Sequence, residues 1–207
     1  MIRRSEIRPL LTMGLLAVGF TTTALETITF YEAMQLRKNF PAQVAEFEQK
    51  YGKFKQKPEI EFRPLPYYKN GTVHRGNVII NNSLMNIMFS PDKKHSVVHE
   101  LGHLVTHQII DEINPKWVWV LSGRAYVASE DFVEQYRTIT EGIAEFIAVQ
   151  NGVKLNIDYQ IHYTFVEPVL EKLGVRRGVE TLLLNPPTID ELDNPLVYYS
   201  RIGLKQN

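Results

Sequence analysis

The stretch HSVVHELGHLVTH, residues 95–107, carries four of the chain's six histidines at intervals of four residues, with one glutamate among them. On an α-helix, residues four apart lie one above the other, about 6 Å along the axis, so two such imidazoles can converge on one ion. Three cannot, because residues eight apart are separated by about 12 Å of rise, whereas metal–nitrogen bonds measure about 2 Å. A metal site on this helix would therefore use one adjacent pair of histidines.

The glutamate selects the middle pair. His99, Glu100 and His103 form the arrangement H-E-x-x-H, in which two histidines bind zinc and the glutamate acts as general base toward a metal-bound water. The alternative is a pair of histidines satisfied in the core or on the surface. We read His95 as a polar residue of the first helical turn and His107 as a last-turn residue near the negative end of the helix.

A second helical segment, TITEGIAEFIAV at residues 138–149, offers the third ligand that a catalytic zinc requires. Glu141 and Glu145 lie four residues apart among mostly apolar neighbours, and buried carboxylates need a cation or hydrogen-bond donors. Gly142 and Ala144 are small, as a helix needs if it is to approach another closely. The alternative is a solvent-facing glutamate pair on an amphipathic helix, and the residues alone do not say which glutamate binds the ion.

The sequence HELGH followed by EGIAE resembles the gluzincin metallopeptidases, over roughly residues 59–150. The resemblance implies that Glu141 is the third zinc ligand, and that Glu145 accepts the free ring N–H of a zinc histidine. Two features depart from the family's pattern. The gap between His103 and Glu141 is longer than usual, which indicates an insertion around residues 117–129, and Thr140 stands where asparagine is frequent.

Other metal-dependent families fit less well. The metzincin pattern H-E-x-x-H-x-x-G-x-x-H fails, because Thr106 occupies the glycine position and Ile109 the position of the third histidine. The rival from another class is a catalytically inactive, secreted or membrane-anchored binding protein that retains a structural zinc site. Glu100 argues against it, since a structural site needs no base. Hydrolysis of a substrate other than a peptide is a third alternative.

The expected fold is α+β, a small antiparallel sheet packed on the H-E-x-x-H helix and the glutamate helix, as in a compact gluzincin core. Ile60 and Phe62 alternate with polar residues in a first strand, and residues 72–81 supply another strand or a bulged pair around Gly76. The sequence Ser90-Pro91-Asp92 predicts a helix start, with the helix running to about Ile110. A second long helix is expected over residues 130–150, closed by Asn151-Gly152.

The remaining helices flank this core. Residues 26–38 and 42–51 are expected to form two helices interrupted by Pro41, and residues 159–173 a helix broken or kinked at Pro168. Residues 175–184 form a further predicted helix, ended by Pro186-Pro187. We therefore predict one domain over residues 26–207, with its core at about 58–150 and a mostly helical remainder at 151–207.

For catalysis, we expect one Zn²⁺ ion and a peptide or protein substrate. The resemblance implies that an extended peptide lies along an edge strand, here residues 78–81. A donor for the oxyanion would come from a later segment. The candidates, each with ordinary packing as its alternative role, are His162, Tyr163, Tyr198, Tyr199 and Arg201.

The composition is that of a folded domain, and we expect no nucleic-acid partner. The chain has 207 residues, 44% of them hydrophobic, which is enough for one domain with a substantial core. Lys plus Arg and Asp plus Glu number 23 each, so no overall field attracts nucleic acid. Cysteine is absent, so a metal site must use His, Asp or Glu.

Residues 1–25 are typical of a signal peptide or a membrane anchor. Arginines within the first eight residues precede an uncharged run over residues 10–25, which is shorter than the roughly 20 apolar residues of a usual span. Cleavage after Ala24 and retention as an anchor through residues 9–25 are both open, and so is an apolar helix docked on the domain. We expect an extracytoplasmic protein, secreted or membrane-anchored.

Overall fold

The computed structural model describes residues 31–66, 69–83, 93–113 and 130–204, which form an α+β fold. Helix α1 occupies residues 31–51 of this part. Three strands follow: β1 at Ile60–Arg63, β2 at Gly71–His74 and β3 at Asn77–Asn81. Next come α2 at Lys93–Ile113, α3 at Glu130–Gln150, a 3₁₀ turn at Ile157–Tyr159, α4 at Gln160–Leu173, α5 at Val175–Leu184, α6 at Ile189–Asp193 and α7 at Pro195–Arg201.

The sheet is mixed, so the prediction of an antiparallel sheet was wrong. Its order is β1-β3-β2, with β3 parallel to β1 and antiparallel to β2. Arg75 and Gly76 both have positive φ, 51° and 81°, as a two-residue hairpin turn between right-twisted strands requires. Residues 72–81 therefore form neither one strand nor a bulged pair, but two strands joined by this turn. The second strand of the hairpin, β3, also pairs with β1.

Strand β3 consequently lies at the centre of the sheet, and the expectation that residues 78–81 form an edge strand was also wrong. Val78, Ile79 and Ile80 are fully buried, which is the burial of a central strand covered on both faces. Asn81 ends the strand, and its side-chain amide donates to the carbonyls of the loop that leads to β2, at 2.6 Å for Lys69. Among the described strands, β1 and β2 form the two edges of the sheet.

The interruption predicted at Pro41 does not occur, and of the break or kink predicted at Pro168 the break does not occur. Helix α1 continues through Pro41, with Phe40, Val44 and Phe47 buried in the core. Helix α4 likewise runs through Pro168 and buries residues on both sides of it. A proline inside a helix removes one backbone hydrogen bond, and we attribute the continuity to the apolar surface that each helix buries around its proline.

Two glycines allow α2, α3 and α4 to pack closely enough to build a site. A Cβ atom on Gly102 of α2 would lie 2.7 Å from the carbonyl oxygen of Ala144 on α3. A Cβ on Gly142 of α3 would lie 2.4 Å from the carbonyl oxygen of His162 on α4. The backbones approach closely only because no side chain stands between them. Gly142 thus has the role predicted for a small residue near Glu141, the close approach of its helix to another.

Helix α2 extends three residues beyond the predicted end at Ile110, to Ile113. Helix α3 has the predicted bounds and ends before Gly152, whose φ is 81°. The C-terminal part is helical, as predicted, and the capping box of Thr188 and Glu191 starts α6. The predicted signal or anchor, the cap at residues 90–92 and the predicted insertion at 117–129 lie outside the described residues. None of the helices in the described residues combines the length and the hydropathy of a membrane span.

Candidate metal centre

The structure brings together His99, His103 and Glu141, the three side chains predicted as ligands. The histidines project from successive turns of α2, and Glu141 faces them from α3, which Gly102 allows to pack closely. The Glu141 Oε2 atom lies 3.2 Å from Nε2 of His99 and 3.3 Å from Nε2 of His103. One ligand atom from each of the three residues lies within 4.8 Å of the others, so the group could bind a metal ion.

The ligand separations agree with a tetrahedral metal site. With metal–ligand bonds of about 2.0–2.1 Å, two ligands of a tetrahedral zinc ion are separated by roughly 3.3 Å. The two separations from Glu141, 3.2 and 3.3 Å, have this length before any rearrangement. Two imidazole nitrogens and one carboxylate oxygen suit zinc and other first-row divalent ions, so the donor set also fits.

The charges at the site favour a cation. Burial opposes a charge on His99, but hydrogen bonds to Glu141 and Glu145 outweigh it and raise the pKa of the imidazole to about 9. Burial also opposes the ionised form of Glu141, yet His103 and His99 hold the pKa of this carboxyl far below its usual range. Without a metal ion, a proton on His99 balances the carboxylates, and binding of a metal must displace that proton.

Glu145 lies behind His99, on the side away from Glu141. Its Oε2 atom is 2.9 Å from Nδ1 of His99, so the carboxylate can accept the ring N–H and leave Nε2 available to an ion. Glu145 is fully buried. Burial raises its pKa, but hydrogen bonds from His95, His99 and the backbone N–H of Asn156 outweigh that effect and lower the pKa to about 2.

Sequence reasoning missed His95, which was assigned only a polar place in the first turn. The residue is 6% exposed, and its Nε2 atom lies 3.0 and 2.9 Å from the two oxygens of Glu145. His95, His99 and Glu145 thus form a second group that could hold a metal ion. The spacing of four residues before His99 was the available signal, because it places His95 above His99 on the helix and toward the second glutamate of α3.

Tyr159 was also missed. Its ring stacks on that of His99, with centroids 4.4 Å apart and planes at 26°. Burial, and then the negative charges of Glu141 and Glu100, raise the pKa of the phenol far above its usual range, so the hydroxyl remains a donor. Asn156 begins the 3₁₀ turn that carries this ring, and its N–H donates to Glu145 at 2.7 Å.

Glu100, the predicted general base, lies beside the three candidate ligands and is 7% exposed. Burial raises the pKa of its carboxyl, while the positive charges of His103 and His99 act in the opposite direction. Its side chain packs on the backbone of Gly71 in β2, where a Cβ atom would lie 2.8 Å from Oε1. Strand β2 therefore lies next to the candidate base.

The five candidate oxyanion donors separate into two sets. Four of them contact other residues of the C-terminal helices: Tyr163 donates to Glu167 within α4, Tyr199 donates to the carbonyl of Phe165, and Arg201 pairs with Glu191 while lying over the Tyr198 ring. His162 differs, because its backbone meets α3 at Gly142, one residue from Glu141. Its Nδ1 atom is buried and, like the Tyr198 hydroxyl, has no hydrogen-bond partner within the described residues.

His107 and His74 stay outside the cluster. His107 follows His103 by one turn, with ring centroids 6.1 Å apart, and burial lowers the pKa of its imidazole to about 4. Helix α2 continues to Ile113, so the prediction that His107 lies in its last turn was wrong. His74 is exposed on β2. Comparison with protein-family models, with curated proteins and with solved structures found no match to this chain, so the functional argument rests on the geometry of the site.

Proposed function

We propose that this chain is a zinc-dependent peptidase of the gluzincin type, with His99, His103 and Glu141 as zinc ligands and Glu100 as general base. The observation that carries the proposal is the convergence of His99, His103 and Glu141, with Glu141 separated from the two histidines by 3.2 and 3.3 Å, while the buried Glu100 follows His99 in the same helix. A site that only stabilised the fold would need the ligands but not a buried carboxylate directly beside them.

The bound ion, Glu100 and Glu145 have separate roles in the proposed reaction. A bound zinc ion supplies Lewis-acid polarisation of a carbonyl and lowers the pKa of a water molecule. Glu100 accepts a proton and returns it to the leaving amine, and burial helps it to hold that proton because burial raises the pKa of the carboxyl. Glu145 keeps the Nδ1–H of His99 hydrogen-bonded, which fixes the tautomer of this ligand.

The substrate peptide lies along β2 in this proposal, and not along β3 as the sequence predicted. In an antiparallel hairpin, hydrogen-bonded pairs alternate with pairs that are not hydrogen-bonded. Counted from the turn, Thr72 and His74 form the hydrogen-bonded pairs, with Ile79 and Asn77 of β3. Gly71 and Val73 therefore direct their N–H and C=O groups toward the edge of the sheet, where they pair with no strand within the described residues. A peptide added antiparallel at this edge would pass Glu100 at Gly71.

The test compares zinc content and cleavage of a peptide library by the wild type, Glu100→Gln and Glu141→Ala. Glu100→Gln should keep zinc and lose cleavage, because it removes a base and no ligand. Glu141→Ala should lose both. The controls are Glu112→Gln and Glu134→Ala, which remove exposed carboxylates from the same two helices and should change neither property.

Three results would count against the proposal. Cleavage that survives in Glu100→Gln would refute the assigned base. Full zinc occupancy in Glu141→Ala would refute the third ligand. A wild type that binds zinc but cleaves no peptide would favour the alternative, a binding protein with a structural metal site.

A further inference from the structure

His99 belongs to both groups that could hold a metal ion. Its Nε2 atom faces Glu141, and its Nδ1 atom faces Glu145. Within the second group, the two oxygens of Glu145 lie 2.9 to 3.0 Å from Nε2 of His95, and one lies 2.9 Å from Nδ1 of His99. These are hydrogen-bond lengths, and they are shorter than the roughly 3.3 Å between two ligands of a tetrahedral zinc ion.

The hydrogen bonds of Glu145 are accounted for without an ion. The carboxylate is 0% exposed, so its charge requires donors. Oε1 accepts the backbone N–H of Asn156 at 2.7 Å and lies 3.0 Å from Nε2 of His95. Oε2 lies 2.9 Å from both Nε2 of His95 and Nδ1 of His99. Both oxygens are therefore occupied by donors, and His95 is the one that reaches both of them.

The rings of His95, His99 and Tyr159 lie against one another, so His95 contacts the proposed ligand His99 directly as well as through Glu145. The His95 and His99 rings stack with centroids 5.7 Å apart, and Tyr159 lies over His99 at 4.4 Å and near His95 at 6.4 Å. The His99 ring is thus restrained at Nδ1 by Glu145 and on its face by Tyr159. Rotation of the Glu145 carboxylate would release the restraint at Nδ1, and His95 is placed to prevent that rotation.

We propose that His95 is a positioning residue of the metal centre: by holding both oxygens of Glu145, it keeps the His99 Nδ1–H bonded and aims Nε2 at the ion site. His95, His99 and Glu145 then form a hydrogen-bonded support for one ion and not a second metal site. The inference rests on the metal-binding part of the proposed function, and it is independent of peptide cleavage.

The test measures zinc stoichiometry and affinity, by competition with a chelator, for variants of the full chain. His95→Gln places an amide N–H near the position of Nε2, whereas the amide of His95→Asn is too short to reach Glu145. The wild type should bind one zinc ion per chain. His95→Asn should bind one ion about 10- to 100-fold more weakly, the usual cost of losing an outer-shell partner. His95→Gln should bind within about threefold of the wild type, and the exposed His74→Asn serves as control.

A double-variant cycle tests whether His95 acts through Glu145. In a Glu145→Gln background, His95→Asn should cause less than about a twofold further loss of zinc affinity. The same loss in both backgrounds would overturn the inference, and so would unchanged affinity in His95→Asn. Loss of a second zinc equivalent would make His95 a ligand. A wild type without zinc would refute the metal site itself, whereas zinc binding without cleavage would refute only the peptidase.

Discussion

The packing of α2 on α3 at Gly102 offers the sharpest test of how the fold builds the site. The substitution Gly102→Ala adds one methyl group, which would lie 2.7 Å from the carbonyl oxygen and 2.9 Å from the Cα atom of Ala144. Both neighbours are backbone atoms and cannot rotate away. An ordinary carbon–oxygen contact needs about 3.3 Å, so the two helices must separate by roughly 0.6 Å.

That separation is large on the scale of a metal site. The ligands of one ion tolerate displacements of only about 0.2 Å, and here His103 and Glu141 stand on the two helices that move apart. We therefore expect zinc affinity to fall at least about tenfold. Overpacking should also cost about 1–3 kcal/mol of unfolding free energy, or roughly 2–4 °C in Tm for each kcal/mol in a chain of this size.

Gly178→Ala is the matched control, because it adds the same methyl group far from the cluster. Its Cβ would meet Leu170, 2.5 Å from the side-chain Cδ2 atom, and part of that contact is relieved by side-chain rotation. Calorimetric unfolding of the zinc-free proteins gives the stability of each variant, and chelator competition gives its zinc affinity. Zinc affinity of Gly102→Ala equal to that of Gly178→Ala would show that the close approach at Ala144 does not position the ligands.

Three further predictions follow from the described contacts. Gly71→Ala should keep zinc and slow peptide cleavage about tenfold or more, because the new Cβ would lie 2.8 Å from Oε1 of Glu100 and displace the base; zinc content and kcat of the purified variant check this, and unchanged kcat would contradict it. Zinc affinity should rise about tenfold per pH unit up to about pH 9, because zinc must displace the proton that His99 holds below its pKa of about 9; calorimetry in buffers of different ionisation enthalpy would show one proton released. In the zinc-free protein, the stability contributed by His99 should be present below pH 6.5 and lost as the pH rises through about 9, since the folded-state pKa is the higher one; a stability that rises over this range in chemical denaturation would contradict the assignment.

The features that depend on neighbouring residues in the chain could be predicted from the sequence. The spacing of four between His99 and His103 is a property of any α-helix, whatever packs against it. The same holds for Glu141 and Glu145, and the apolar residues around both pairs indicated buried helices. The end of α3 at Gly152 follows from a glycine that adopts positive φ without strain.

Other features depended on contacts between distant segments. The sequence indicated strands but could not decide their order. Strand β3 pairs with β2 in the hairpin and with the more distant β1 on its other side, and the second pairing places β3 at the centre. Proline signals at residues 41 and 168 were overridden, since both helices bury apolar residues around the proline. Local signals give way where tertiary burial outweighs one lost hydrogen bond.

Helical periodicity therefore decided which residues form the proposed ligand pair and the proposed base, whereas tertiary packing decided what surrounds them. His95 has the same spacing as the ligands, and only the position of Glu145 on a packed neighbouring helix turned it toward a carboxylate. Tyr159 contacts His99 because the segment after α3 folds back toward α2, where the backbone N–H of Asn156 donates to Glu145. Helical spacing determines which side chains share a face, whereas the partner opposite that face is chosen by packing across the fold.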